Sequence, residues 1–109
     1  MKELTKIEEI LLVAIWQLEE NAYGVKIKQQ VSAIIGKELT YGHLYSVLHQ
    51  LVAKKLVAKS RGKASKQRLG RPRLFYSITR EGMASLKAAR ELNEKLWSGI
   101  SRYALEGKK

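Results

Sequence analysis

At 109 residues with 45% apolar side chains, the chain fits one small domain with a real but limited core. It has no cysteine, which excludes a disulfide framework and a thiolate metal site, and its longest apolar run, Ile10 to Trp16, is too short to span a bilayer. The net charge of +11 is unevenly spread: residues 1–20 hold two Lys and five Glu, whereas residues 54–80 hold ten Lys or Arg and no acid, a one-sign segment that favours a polyanion as partner.

Thr5-Lys6-Ile7-Glu8 is a capping box and opens a first helix. Ile7, Ile10, Leu11, Ala14, Ile15 and Leu18 follow helical spacing. Leu12, Val13 and Trp16 make the other side apolar too, which predicts burial on both faces, the second against another chain. Asn21 is expected to cap a second helix from about Tyr23 to Ile35. Its inward residues are Val25, Ile27, Val31, Ile34 and Ile35, and Gly36 suits its end. Thr40 is expected to cap a third helix, from Tyr41 to about Lys55. Leu44, Val47, Leu48 and Leu51 form its core stripe; Gly42, Ser46, His49 and Ala53 make the opposite face small or polar. Leu56 to Arg61 and Arg73 to Ile78 read as strands, joined by the basic segment with Gly62, Gly70 and Pro72 as turn formers. Pro72 suits a hairpin arm, not a central strand. Thr79 is expected to cap a long last helix running through Leu105. In it Leu86, Ala89, Asn93, Leu96, Ile100 and Tyr103 step by three and four, a coiled-coil-like seam with one polar member, Asn93.

Three helices, a hairpin with a basic tip and a long helix make a mainly α (α+β) fold, a winged helix-turn-helix. Residues 1–79 are the expected DNA-binding part, and residues 80–109 a C-terminal dimerisation helix with a short tail, in one compact domain. The hairpin then lays charge along a phosphate backbone while the third helix enters the major groove.

Several short elements carry a family resemblance. Tyr23-Gly24 opens the second helix, and Leu44-Tyr45 and Leu48-His49 sit in the third. Gly70-Arg71-Pro72-Arg73 closes the wing, and Phe75-Tyr76 with Thr79-x-Glu81-Gly82 leads into the last helix. In this order they resemble the PadR family of bacterial winged-helix transcriptional regulators, over roughly Leu4 to Tyr103. The length and single C-terminal helix look like the short-tailed branch, which implies a last helix paired with a partner's first helix. The chain also departs from the family's habits. Tyr41-Gly42-His43 stands where Pro-Gly-Thr is common, Ser46 where a Pro often follows, and Lys54-Lys55 where a Glu-Gly turn is usual. These positions bear on the operator sequence more than on the fold.

The expected reading surface is Thr40, Tyr41, Gly42, His43, Tyr45, Ser46 and His49. Small residues let the helix sink toward base edges, and Tyr and His supply hydrogen bonds. Tyr45 lies at the edge of the core stripe and is expected half-buried, its hydroxyl reaching a phosphate. On the wing, Arg71 and Arg73 offer guanidinium forks to phosphate or to a narrow minor groove, while Lys63, Lys66 and Arg68 add sequence-blind affinity. The expected dimer interface is Leu12, Trp16, Leu86, Leu96, Trp97, Ile100 and Tyr103. Trp16 and Trp97 either pack as interface core or flank a pocket for a small aromatic effector, as the resemblance to multidrug-sensing relatives implies.

His43 and His49 are six apart and do not share a helix face as zinc ligands would. No metal or cofactor is expected, and without a glycine-rich phosphate loop or a Ser-His-acid set neither is an enzyme. The overall expectation is a soluble, cytoplasmic homodimeric repressor of a palindromic operator, with no membrane role. The rivals are a non-specific architectural or RNA-associated winged helix, and a protein–protein adaptor whose basic arm meets an acidic partner.

Overall fold

The structure is a computed structural model and describes residues 3–64, 72–100 and 102–107. Helix α1 (Lys6–Leu18) starts at the expected capping box: the Thr5 hydroxyl accepts from the Glu8 amide, and a Glu8 carboxylate oxygen accepts from the Thr5 amide at 2.9 Å. A short 3-10 turn (Glu19–Asn21) follows. Asn21 is therefore not a cap. Tyr23 holds the N-cap position of α2 (Gly24–Ile35) with no side-chain hydrogen bond, because residues 22–23 are drawn into the sheet. Helix α2 ends on Gly36 at φ +73°, the left-handed geometry that favours glycine. Ile27 and Val31 are buried as expected, but Val25 and Ile34 point to solvent.

Helix α3 (Tyr41–Ala53) is capped by Thr40, whose hydroxyl accepts from the His43 amide at 3.1 Å. Its far end closes with two bonds: Leu56 N–H to the Leu51 carbonyl and Lys55 N–H to the Val52 carbonyl, both at 2.9 Å. This is a Schellman cap. Its left-handed position, φ +63°, is held by Lys55 rather than by glycine.

Strands β1 (Val57–Ala64) and β2 (Pro72–Ile78) pair antiparallel, from Val57 opposite Ile78 to Ala64 opposite Pro72, with an irregularity between Arg61 and Ala64. The arm is longer at its tip than the alternation of side chains suggests, and Pro72 sits at a strand's first residue, where a missing N–H costs little. The other edge of β2 takes in the segment before α2: Tyr23 bridges Phe75, and the Tyr76 amide bonds the Ala22 carbonyl at 2.8 Å.

Helix α4 (Arg80–Trp97) is capped by Thr79, which accepts from the Gly82 amide and donates to the Lys55 carbonyl at 2.7 Å. Gly82 has a packing reason: a Cβ there would stand 2.1 Å from the Leu56 carbonyl oxygen. The expected continuous helix to Leu105 is broken. Ser98 turns extended, its hydroxyl bonds the Lys95 carbonyl, and Gly99 adopts φ +82° before a short α5 (Arg102–Leu105). Adjacent Ser and Gly favour a stop over helix continuation.

The core lies between α1, α2, α3 and the base of the sheet. Leu11, Leu12, Ala14 and Ile15 meet Ile27 and Val31, the α3 stripe Leu44, Val47, Leu48 and Leu51, and Leu56, Val57 and Tyr76. Leu12 is thus corrected. It is fully buried within its own chain and cannot be a dimer contact. The α1 face expected to meet another chain is narrower than the apolar pattern suggests, because this small fold wraps most of that helix.

Candidate nucleic-acid interface

Helix α3 packs one stripe inward and turns Tyr41, Gly42, His43, Tyr45, Ser46 and His49 outward, with its cap Thr40 also exposed. All seven expected reading residues are thus exposed, with His43 and Thr40 also lining a hollow beside Lys6, Ile7 and Ile10 of α1. None of residues 41–53 is charged. The helix N-terminus carries partial positive charge from its aligned peptide dipoles, so this end is favourable to phosphate even without a cationic side chain.

The tyrosines are not free. Tyr41 and Tyr45 are stacked, ring centroids 6.3 Å apart and 18° from parallel. Lys28 of α2 places its ammonium 5.1 Å from the Tyr41 centroid and pairs with the Glu38 carboxylate. Tyr45 lays its hydroxyl against Gly24, where a Cβ would come within 2.3 Å of the oxygen. That contact gives Tyr23-Gly24 its physical meaning: only a bare α-carbon leaves room for the Tyr45 ring. Tyr45 is 39% exposed, in keeping with a half-buried ring. Tyr76 beneath is buried, and burial, with the Tyr45 phenol adding to it, pushes its hydroxyl pKa up.

The wing is basic but its described cations differ. Lys59 and Arg61 are exposed on β1. Arg73, expected to offer its fork to phosphate, has its guanidinium carbon 3.9 Å from the Tyr23 ring centroid, and its Nε is buried without a hydrogen-bond partner. Lys66, Arg68 and Arg71 lie outside the described residues, as do the side chains of Lys63 and Tyr103.

Sequence reasoning missed the junction behind α3. Glu8 is fully buried, and its second carboxylate oxygen takes a 2.6 Å bond from Lys54 at the end of α3. Burial alone would raise this carboxyl's pKa. The Lys54 ammonium and the Thr5 amide outweigh it and hold the carboxyl below its ordinary range. Lys54 belongs to the basic segment by sequence but is tied inward. The capping box was visible, but nothing in its spacing shows that Glu8 also reaches a residue 46 positions away.

A second feature lies between α1 and α4. A groove of about 1020 Å³ is lined by Val13, Met83, Leu86, Arg90, Asn93 and Trp97, among others. Asn93 donates to Glu9 at 3.2 Å, so the polar residue of the seam is satisfied within the chain. Leu96 and Trp97 are exposed, as is Ile100 just past the helix, while Leu86 is half-buried against the core. Trp16 is 60% exposed, lining a separate cavity of about 430 Å³ with Glu19, Ser77 and Met83. Among the described residues, Trp97 and Trp16 line different cavities.

Comparison with known proteins decides the family. The model described as "Transcriptional regulator PadR-like family" matches residues 11–88. The chain belongs to this family. Its members are DNA-binding transcriptional regulators, and the winged-helix architecture is the one the sequence suggests. No curated protein matches. Among solved structures, H. salinarum RosR is 27% identical with a TM-score of 0.70, over 97% of this chain and 90% of that one. A PadR-like transcriptional regulator from Bacillus cereus has a TM-score of 0.73 at 24% identity, over 94% and 93% of the two chains. Bordetella bronchiseptica BpsR, whose DNA binding is described as regulated by 6-hydroxynicotinic acid, is 17% identical with a TM-score of 0.64, over 92% of this chain and 70% of that one. The last two show the fold alone. Among the described residues no helix is long and apolar enough to cross a membrane.

Proposed function

We propose that this PadR-like regulator is a homodimeric repressor that reads a palindromic operator through α3 and anchors itself with the wing. The reading is supported by the different chemistry of α3 and the wing. The exposed face of α3 is uncharged and made of small, aromatic and imidazole side chains, which suits base edges. The strands beside it carry Lys59, Arg61 and Arg73, which suit phosphates. Dimerisation is supported by α4, which leaves Leu92, Leu96 and Trp97 half or more exposed on a helix that a partner's α1 can cover. The α1–α4 groove suits a small aromatic effector, with Trp97 as a stacking surface and Arg90 and Glu94 for polar contact. The BpsR likeness lends that idea a precedent in the fold, for that protein only.

Selection of bound sequences from a random duplex pool tests the reading. The expected product is a palindrome with half-sites about 34–36 Å apart, or a multiple of that. An architectural protein would return no motif and would prefer no site by the roughly 10³-fold or more of a specific binder. An adaptor would retain no DNA at moderate salt.

A further inference from the structure

Arg73 carries an unexplained feature. A buried polar atom without a partner is uncommon, and each case calls for a reason. Among the described residues Arg73 Nε is the one such side-chain atom. The guanidinium carbon lies over the Tyr23 ring, 3.9 Å from its centroid. Tyr23 is itself fixed. Its backbone bridges Phe75, and the Phe75 ring meets it edge-on at 5.6 Å. Phe75 in turn fills the space over Gly62, where a Cβ would come within 2.5 Å of the ring. The residue after Tyr23 is Gly24, which faces the Tyr45 hydroxyl of α3. Arg73 therefore stands on a rigid aromatic mount at the seam between the wing and the reading helix.

This arrangement suits one chemistry. Contact with the ring restricts the guanidinium, and the covered Nε leaves the terminal nitrogens as the donors to offer a ligand. A planar two-pronged cation is the complement of a phosphate, and a lysine is not. We infer that Arg73, mounted on Tyr23, anchors one phosphodiester of the DNA backbone between the wing and α3. The inference rests on the DNA-binding reading above and adds Tyr23, which that reading did not contain. It also changes what Arg73 is: a pre-aimed donor that loses little side-chain freedom on binding, unlike a cation on a loop.

The test uses the full chain and a duplex carrying its selected site, beside a scrambled duplex, across a range of salt. Arg73→Gln is expected to weaken both duplexes by about tenfold and to flatten the slope of log K against log salt by about 0.9. Arg73→Lys keeps the charge and should keep most of the slope, yet still bind several-fold more weakly. Tyr23→Leu should resemble Arg73→Lys, and Tyr23→Phe should resemble wild type. A merely structural stack would lower the thermal midpoint of these variants without moving the salt slope. That result, or wild-type affinity in Arg73→Gln, overturns the anchor. Failure of the wild-type chain to bind any duplex would instead sink the DNA-binding reading itself.

Discussion

Helices α3 and α4 are both amphipathic, and they use that property in opposite ways. Every large apolar side chain of the α3 stripe (Leu44, Val47, Leu48 and Leu51) is buried inside the chain, so what α3 shows to solvent is polar, small or aromatic. Helix α4 buries only Gly82 and Ser85 at its start; Leu92 and Leu96 are each 61% exposed further along. A helix of 18 residues spans about 27 Å, and the only buried residues of α4 lie in its first two turns. The first helix is finished by its own fold and offers a surface. The second leaves an apolar row open, the surface on which the proposed dimer rests.

That contrast can be broken most forcefully in the core. Leu51→Ala should cost about 2–5 kcal/mol, read from the denaturant midpoint, because its site cannot fully collapse. An α4 counterpart, Leu92→Ala, should stay within about 0.5 kcal/mol in a dilute, dissociated chain. An equal loss at both positions would mean that α4 is buried by its own chain. Next in size, Leu96→Asp should leave the fold intact yet halve the sedimenting mass from roughly twice 12.4 kDa to that of one chain, since a carboxylate would be buried unpaired in the dimer.

A third experiment asks whether the α3 surface reads or merely touches. His43→Ala or Ser46→Ala should cost about 1–3 kcal/mol on the selected duplex and little on a scrambled one. Lys66→Ala, in the basic segment of the sequence, should weaken both alike. Identical losses on both duplexes for all three variants would favour the architectural alternative.

Two smaller effects concern the base of α3. Relieving the left-handed backbone of Lys55 by Lys55→Gly should stabilise the chain by about 1 kcal/mol in thermal melts. The Glu8 carboxyl is held below its ordinary range, so its contribution is present above the unfolded-state value and is lost as pH falls through the lower folded value. Thermal midpoints should therefore drop below the usual carboxylate range, and less steeply in Glu8→Gln. An identical pH profile in that variant would remove Glu8 from the account.

Much of this was legible in the chain. The capping box, the Thr40 and Thr79 caps, the α3 stripe and the hairpin all follow from short-range chemistry: a hydroxyl near an N–H, or a period of three to four residues. What escaped was either non-local or a contest between local signals. Asn21 is a good cap by type, but strand pairing at residues 22–23 took precedence. Leu12 belongs to an apolar face that sequence spacing could not distinguish from a subunit contact. Arg73 reads as a surface cation until Tyr23, fifty residues earlier, is brought under it. The break after Trp97 was written in Ser98-Gly99, and the regular seam around it masked the signal.

The absence of charge on α3 has a kinetic consequence. Long-range attraction draws a protein to DNA at a rate that falls with salt, and only charged groups exert it. The densest one-sign charge lies in residues 54–80, so on the proposed reading encounter is governed by the wing and the lifetime of the bound state by α3. Substitutions on the arm should show mainly in the association rate. Those on the helix should show in dissociation, where differences between related complexes usually lie. An operator could then drift in sequence, altering how long the regulator stays, without altering how fast it arrives.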